Sequence, residues 1–109
     1  MAPFQDLLQT LPATDGIEAI VLLNPEGEAM HRLENLPGTA GSLRVYHALV
    51  KRHGHIDRKA AREGLELFAE HTASARAHPG SHPNIDRLLA IAEQGAPGLR
   101  ARVVLKTED

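Results

Sequence analysis

The stretch Ile17–Glu34, IEAIVLLNPEGEAMHRLE, decides the fold. Its first seven residues, Ile17 to Leu23, are rich in β-branched side chains and apolar on both faces. That pattern predicts a central strand covered on both sides. NPEG then supplies Pro25 and Gly27 as turn residues. EAMHRLE alternates more weakly and reads as the return strand of a hairpin. Far along the chain, LRARVVLK sets Leu99, Ala101, Val103 and Leu105 on one side and Arg100, Arg102 and Lys106 on the other. This is a third strand with one wet face, and the final Thr107–Asp109 reads as a frayed tail. The most apolar strand belongs in the middle, with its hairpin partner on one side and the C-terminal strand on the other.

Helical patterns fill the remaining chain. In PFQDLLQTL, Phe4, Leu7, Leu8 and Leu11 share one face, and Pro12 ends the run. Leu43 to His53 carries Leu43, Val45, Tyr46, Leu49 and Val50 on one arc, with Ser42 as the expected N-cap and Gly54 at C′. Asp57 caps a longer helix running through Ala75, with Ile56 and Ala61 as a weak hydrophobic staple. Gly64 lies on the apolar arc of that helix. It costs about 1 kcal/mol relative to Ala, so another backbone is expected close by. Pro83 opens a last helix, with Ile85, Leu88, Leu89, Ile91 and Ala92 as its stripe and Gly95 at its end. The expectation is an α+β fold, a small three-stranded sheet covered by about four helices, with residues 1–109 as a single domain.

Composition removes several function classes. The 109 residues contain no cysteine, which excludes disulfides, thiolate chemistry and cysteine-based metal sites. Tryptophan is absent, and Phe4, Tyr46 and Phe68 are the only aromatics, so no stacking platform for bases is in evidence. The longest strictly apolar run is Ala19 to Leu23, far short of the roughly 20 residues of a membrane span. The N-terminus lacks the basic and apolar regions of a signal peptide. A cytoplasmic protein without membrane contact is the expectation. Net charge is −2, yet six basic residues between Ser42 and Arg62 face Asp57 alone.

Candidate chemistry rests on two loops and a set of histidines. RAHPGSHPNIDRLL, Arg76–Leu89, places two His-Pro pairs at a helix–helix joint. The prolines, Gly80 and Asn84 account for the turn without any function. The amides at the start of the following helix favour an anion, with His82 and Asn84 beside them. LPGTAGSLR, Leu36–Arg44, is a second candidate cradle, in which Gly38, Thr39, Gly41, Ser42 and Arg44 lead into a helix N-terminus. It lacks the Gly-Lys-Ser/Thr ending of a P-loop. On helical wheels His53 and His71 point inward, and His78 lies in line with His71. Together with His82, and with Glu70 or Asp86 as a carboxylate, they form a candidate site for a divalent metal such as zinc. An inward histidine is more often a satisfied core residue. The basic segment also resembles a helix–turn–helix on paper, with Arg58, Lys59 and Arg62 at a helix start. A solvated basic face is the commoner explanation. No G-x-S-x-G context surrounds Ser42, Ser74 or Ser81.

The block Asn35–Leu89 resembles a family of small uncharacterised bacterial proteins, a conserved domain of unknown function. The points of similarity are Pro37, Gly38, Gly41, Ser42, Leu43, Val45 and Tyr46; the run Ala60 to Thr72; and Pro79 to Leu88. The resemblance implies a bacterial origin and a compact domain of about this length. It transfers no catalytic residue, cofactor or substrate.

Three readings therefore stand. The first is a binding or interaction module, able to form a homo-oligomer, that uses Gly38–Arg44 and His78–Asn84. The second is a metal- or phosphate-ligand-dependent enzyme with a histidine-rich pocket. The third, with the least support in the sequence, is a nucleic-acid binder. The first needs no feature that the sequence lacks.

Overall fold

The computed structural model describes residues 2–107. Strand β1, Ile17–Leu23, lies between β2, Ala29–Glu34, and β3, Arg100–Leu105, and both pairings are antiparallel. Ile20 sits opposite Leu33 and Val103, and Leu22 opposite His31 and Ala101. Ile20, Leu22 and Leu33 belong to the core cluster that joins the sheet to the helices, the half-buried Ala101 and Val103 pack against it, and His31 is exposed. The central placement of β1 follows from its burial, since a middle strand loses its backbone edges and most of its side chains to neighbours.

The expected cover on both faces needs correction. Ala19 and Val21 are buried, yet they stand outside the cluster that meets the helices. Val21 is flanked across the sheet by Arg32 and Arg102. Long arginine stems shield such a residue while their charged ends stay in water. Leu105 also departs from its expected role. It lies at the end of β3 and is 65% exposed. Of the expected frayed tail, residues 108 and 109 lie outside the described residues.

Five helices occur among the described residues: α1, Phe4–Gln9; α2, Ala40–His53; α3, Arg58–Leu67; α4, Glu70–Ala77; and α5, Pro83–Glu93. None is long and apolar enough to cross a membrane. The start of α2 lies earlier than expected. The Leu36 carbonyl accepts from the Thr39 and Ala40 amides, so the chain winds one turn sooner and Ser42 is inside the helix rather than its cap. Other punctuation is as expected. Gly54 closes α2 with φ 81°, and Pro83 opens α5. The Asp57 carboxylate accepts from the Ala60 amide at 2.7 Å, which holds that carboxyl below its ordinary range.

The long helix expected from Asp57 to Ala75 is two helices. They break at Phe68–Ala69, where Ala69 takes φ 50°. No glycine or proline marks the break. Contacts from α1 hold it: the Phe4 amide donates to Glu70 Oε1 at 2.7 Å, and the Phe4 and Phe68 rings stack at 5.6 Å. Within the joint, Thr72 Oγ1 donates to the Leu65 carbonyl at 2.6 Å, using an acceptor that a continuous helix would have bonded to an amide. With ψ −119° Ala69 lies outside the left-handed helical well as well, and such a backbone costs on the order of 1–3 kcal/mol. Ala69→Gly is expected to stabilise the protein by about 0.5–1 kcal/mol after the added chain entropy of glycine is subtracted. Urea denaturation measures this, and a loss of stability would show that Ala69 is not strained.

Gly64 is where α3 meets its neighbours. A Cβ placed there would come within 2.7 Å of Leu88 Cδ1 and 2.9 Å of Leu49 Cδ1. Both leucines are fully buried, so neither methyl has room to retreat. Gly64→Ala is expected to lower stability by about 1–2 kcal/mol despite the better helix propensity of alanine. A higher melting temperature in this variant would refute the close approach.

Candidate functional site

The two loops singled out in the sequence form opposite walls of one groove of about 690 Å³. One wall is Leu36–Ser42, leading into α2. The other is Ser81–Ile85, leading into α5. Phe4, Phe68 and His71 lie between them, and Arg32 and Glu34 of β2 also contribute.

Local chemistry shapes the first wall. Gly38 adopts φ 95°, a region that residues with a Cβ rarely enter. Thr39 Oγ1 donates to the Glu34 carbonyl at 2.7 Å and so ties the loop to the end of β2. In the first turn of α2, the Gly41 and Ser42 amides have no backbone acceptor among the described residues, the usual state of the first amides of a helix. Gly41 lies over Phe4, and a Cβ there would reach the ring at 3.5 Å. Arg44 does not belong to this wall, contrary to expectation. Its guanidinium donates to the Leu11 and Pro12 carbonyls at 2.7 and 3.2 Å, and it pins the segment after α1.

The second wall is held from beneath. The Tyr46 hydroxyl donates to the Asn84 carbonyl at 2.5 Å and accepts from Arg87 Nη1 at 3.1 Å. Burial pushes the Tyr46 phenol up to about 12, opposed in part by the Arg87 charge. The Asn84 side chain is also taken, because its Oδ1 accepts from Arg87. Asp86 Oδ2 accepts from the Gly80 amide at 3.0 Å, and Ser81 Oγ donates to the His78 carbonyl at 2.6 Å. The corner between α4 and α5 is thus closed by its own polar groups.

Of the four histidines expected to converge, two do. The rings of His71 and His82 lie 6.0 Å apart between centroids. His71 meets the Phe4 ring edge-on at 4.9 Å, and His82 Nε2 lies 3.1 Å from Ser74 Oγ. His78 is exposed at the end of α4. His53 closes the far end of α2, roughly 20 Å along the helix from the groove at 1.5 Å per residue. There its Nε2 lies 3.5 Å from Glu63 Oε2. Among the described residues, no three histidine or carboxylate groups are placed to hold a metal ion. The four-histidine metal set is corrected accordingly. A helical wheel gives the direction of a side chain, and here the distance along the axis separates them.

The basic segment is partly spent on structure. Arg58 donates to the Ala92 carbonyl at the end of α5, and Arg52 pairs with Glu63 at 3.0 Å. With Arg44 also engaged, Lys51, Lys59 and Arg62 are the exposed cations left on this stretch. At the groove itself, Arg32 is paired with Glu34 at 2.6 Å.

Sequence reading missed Phe4 and Phe68 as lining residues, because both looked like plain core. Ser74 carried no signal at all. It meets His82 because the Pro79–Gly80 turn folds α5 back beside α4.

A family model described as "Uncharacterized protein conserved in bacteria (DUF2322)" matches residues 4–102. The chain belongs to this family. The match takes in every helix and both walls of the groove, so the groove lies within the part of the chain that defines the family. No curated protein and no solved structure matches the chain.

The bond between Tyr46 and Asn84 sets the position of the second wall. Tyr46→Phe is expected to cost about 1–3 kcal/mol, since a buried carbonyl loses its donor and Arg87 loses a partner. Chemical denaturation measures the loss, and the amide shifts of His82 and Asn84 report the loosened start of α5. Unchanged stability together with unchanged shifts would count against this role.

Proposed function

We propose that the chain is a cytoplasmic binding domain for a small ligand, which lies in the groove between Gly38–Ser42 and His82–Asn84. One observation carries the reading: two loops far apart in sequence, each a candidate cradle by itself, line the same groove. The lining fits a ligand with two parts. Leu36, above the largely buried Phe4 and Ile85, offers apolar surface, while His71, His82, Ser42 and the first amides of α2 offer polar contacts. A concave, partly apolar site with a few convergent polar groups is the common form of a small-molecule site.

The other readings draw less support. A metal-dependent enzyme would have to work from His71 and His82 without a third ligand beside them. A nucleic-acid binder would depend on Lys51, Lys59 and Arg62, with the arginines around them already engaged.

NMR titration with phenyl phosphate, phenylacetate, benzamide and phenethylamine tests the proposal. At least one is expected to shift the amides of Gly38, Gly41, Ser42, His82 and Asn84 together. His82→Ala should weaken that binding by roughly tenfold, the scale of one charge-assisted hydrogen bond. Arg44→Ala should leave affinity unchanged while lowering stability. Shifts scattered away from the groove, or an affinity indifferent to His82, would overturn the reading.

A further inference from the structure

We infer that Ser74 selects the class of ligand: its hydroxyl fixes His82 as the Nδ1–H tautomer, so the groove presents a donor and takes a carboxylate or phosphate oxygen. This inference rests on the groove being the binding site.

Two independent features point to that tautomer. The first is the balance of hydrogen bonds around Ser74. A serine inside a helix commonly bonds back to the carbonyl one turn earlier. Ser74 does not, and its only hydrogen-bond partner among the described residues is His82 Nε2 at 3.1 Å. A neutral imidazole nitrogen either donates or accepts. If Nε2 carried the proton, the half-buried hydroxyl would accept and its own hydrogen would find no protein acceptor. If Nε2 is bare, the hydroxyl donates and both groups are satisfied. The proton then resides on Nδ1.

The second feature is the position of His82 in the fold. His82 is the N-cap residue of α5, where a bare Nδ1 could accept from the Asn84 amide, since Pro83 has no amide and those of Ile85 and Asp86 already donate to the His82 carbonyl. Its side chain makes no capping bond. Such a cap is forgone by a ring whose Nδ1 already carries hydrogen. No described protein group bonds to that nitrogen, and His82 lines the groove. Glu34, the carboxylate that also lines the groove, is held by Arg32. An acceptor for Nδ1–H therefore has to come from the ligand or from water. Acidic ligands supply one, whereas an ammonium supplies only further donors and is rejected.

Long-range proton–nitrogen correlation spectra of the 15N-labelled protein at pH 8 test the tautomer without any ligand. His82 should show a protonated Nδ1 and a bare Nε2. In Ser74→Ala the pattern should move towards the Nε2–H form, and Ser74→Thr, which keeps the hydroxyl, should restore it. In titrations, phenyl phosphate and phenylacetate should bind in the groove and phenethylamine should not. Ser74→Ala should weaken phenyl phosphate binding by roughly fivefold to tenfold. A protonated Nε2 in the unmodified protein overturns the inference. So does a tautomer indifferent to Ser74→Ala, or binding of phenethylamine in the groove. That last outcome would leave the groove standing as a binding site. Conversely, if none of the panel binds, the binding reading fails even where the tautomer is as inferred.

Discussion

Tyr46 is fully buried, and a buried hydroxyl has to find a partner. It finds the Asn84 carbonyl, and Arg87 approaches from the other side. This contact fixes how α5 begins relative to α2. Gly64 sets the spacing of the same layer, since α3 lies against Leu49 of α2 and Leu88 of α5 with no room for a methyl group. The groove follows from these two constraints. Its walls are the first turns of α2 and α5, and those turns face one another because the rest of each helix is locked against α3. The candidate site is thus bounded by two short loops, each anchored at the start of a packed helix.

A second constraint shapes the bottom of the groove. The break between α3 and α4 puts Ala69 in a conformation unfavourable for a residue with a Cβ, and α1 supplies contacts that offset that cost. Phe4 is central to this. Its amide meets Glu70, its ring stacks on Phe68, and the same ring meets His71 edge-on. The break turns α4, and with it His71, relative to α3. Both histidines follow the break, so their alignment survives it; two turns of α4 separate them, which leaves His71 on the groove and His78 exposed at the helix end. Strain held by surrounding contacts is common near functional sites, and Ala69 directly follows Phe68, which lines the groove.

Much of the architecture was legible because it depends on short-range patterns. The hairpin and its central strand follow from the apolar run Ile17–Leu23 and the turn at Pro25–Gly27. Asp57, Gly54, Pro83 and Gly95 each carry a conformational preference strong enough to place a helix end. Gly64 signalled a close approach through its position on an apolar arc, but the neighbours are the Leu49 and Leu88 side chains rather than the expected backbone. The failures share one cause. The Ala69 break, the early start of α2 at Leu36–Ala40 and the engagement of Arg44 all depend on a partner distant in sequence or on a loop carbonyl that no periodicity reveals.

The candidate site divides in the same way. By itself the sequence determined the α+β class, the strand order and the places of both loops, because turn residues and hydrophobic periods act locally. It also resembled its family in the segments that build the walls. Only the tertiary structure decided that the two loops share one groove, that His71 and His82 meet while His53 and His78 do not, and that Ser74 touches His82. Those outcomes depend on distances between elements, and distances are set by how closely buried side chains can approach, at Gly64 and Tyr46 above all. A residue pattern states which way a side chain points; packing states what it meets.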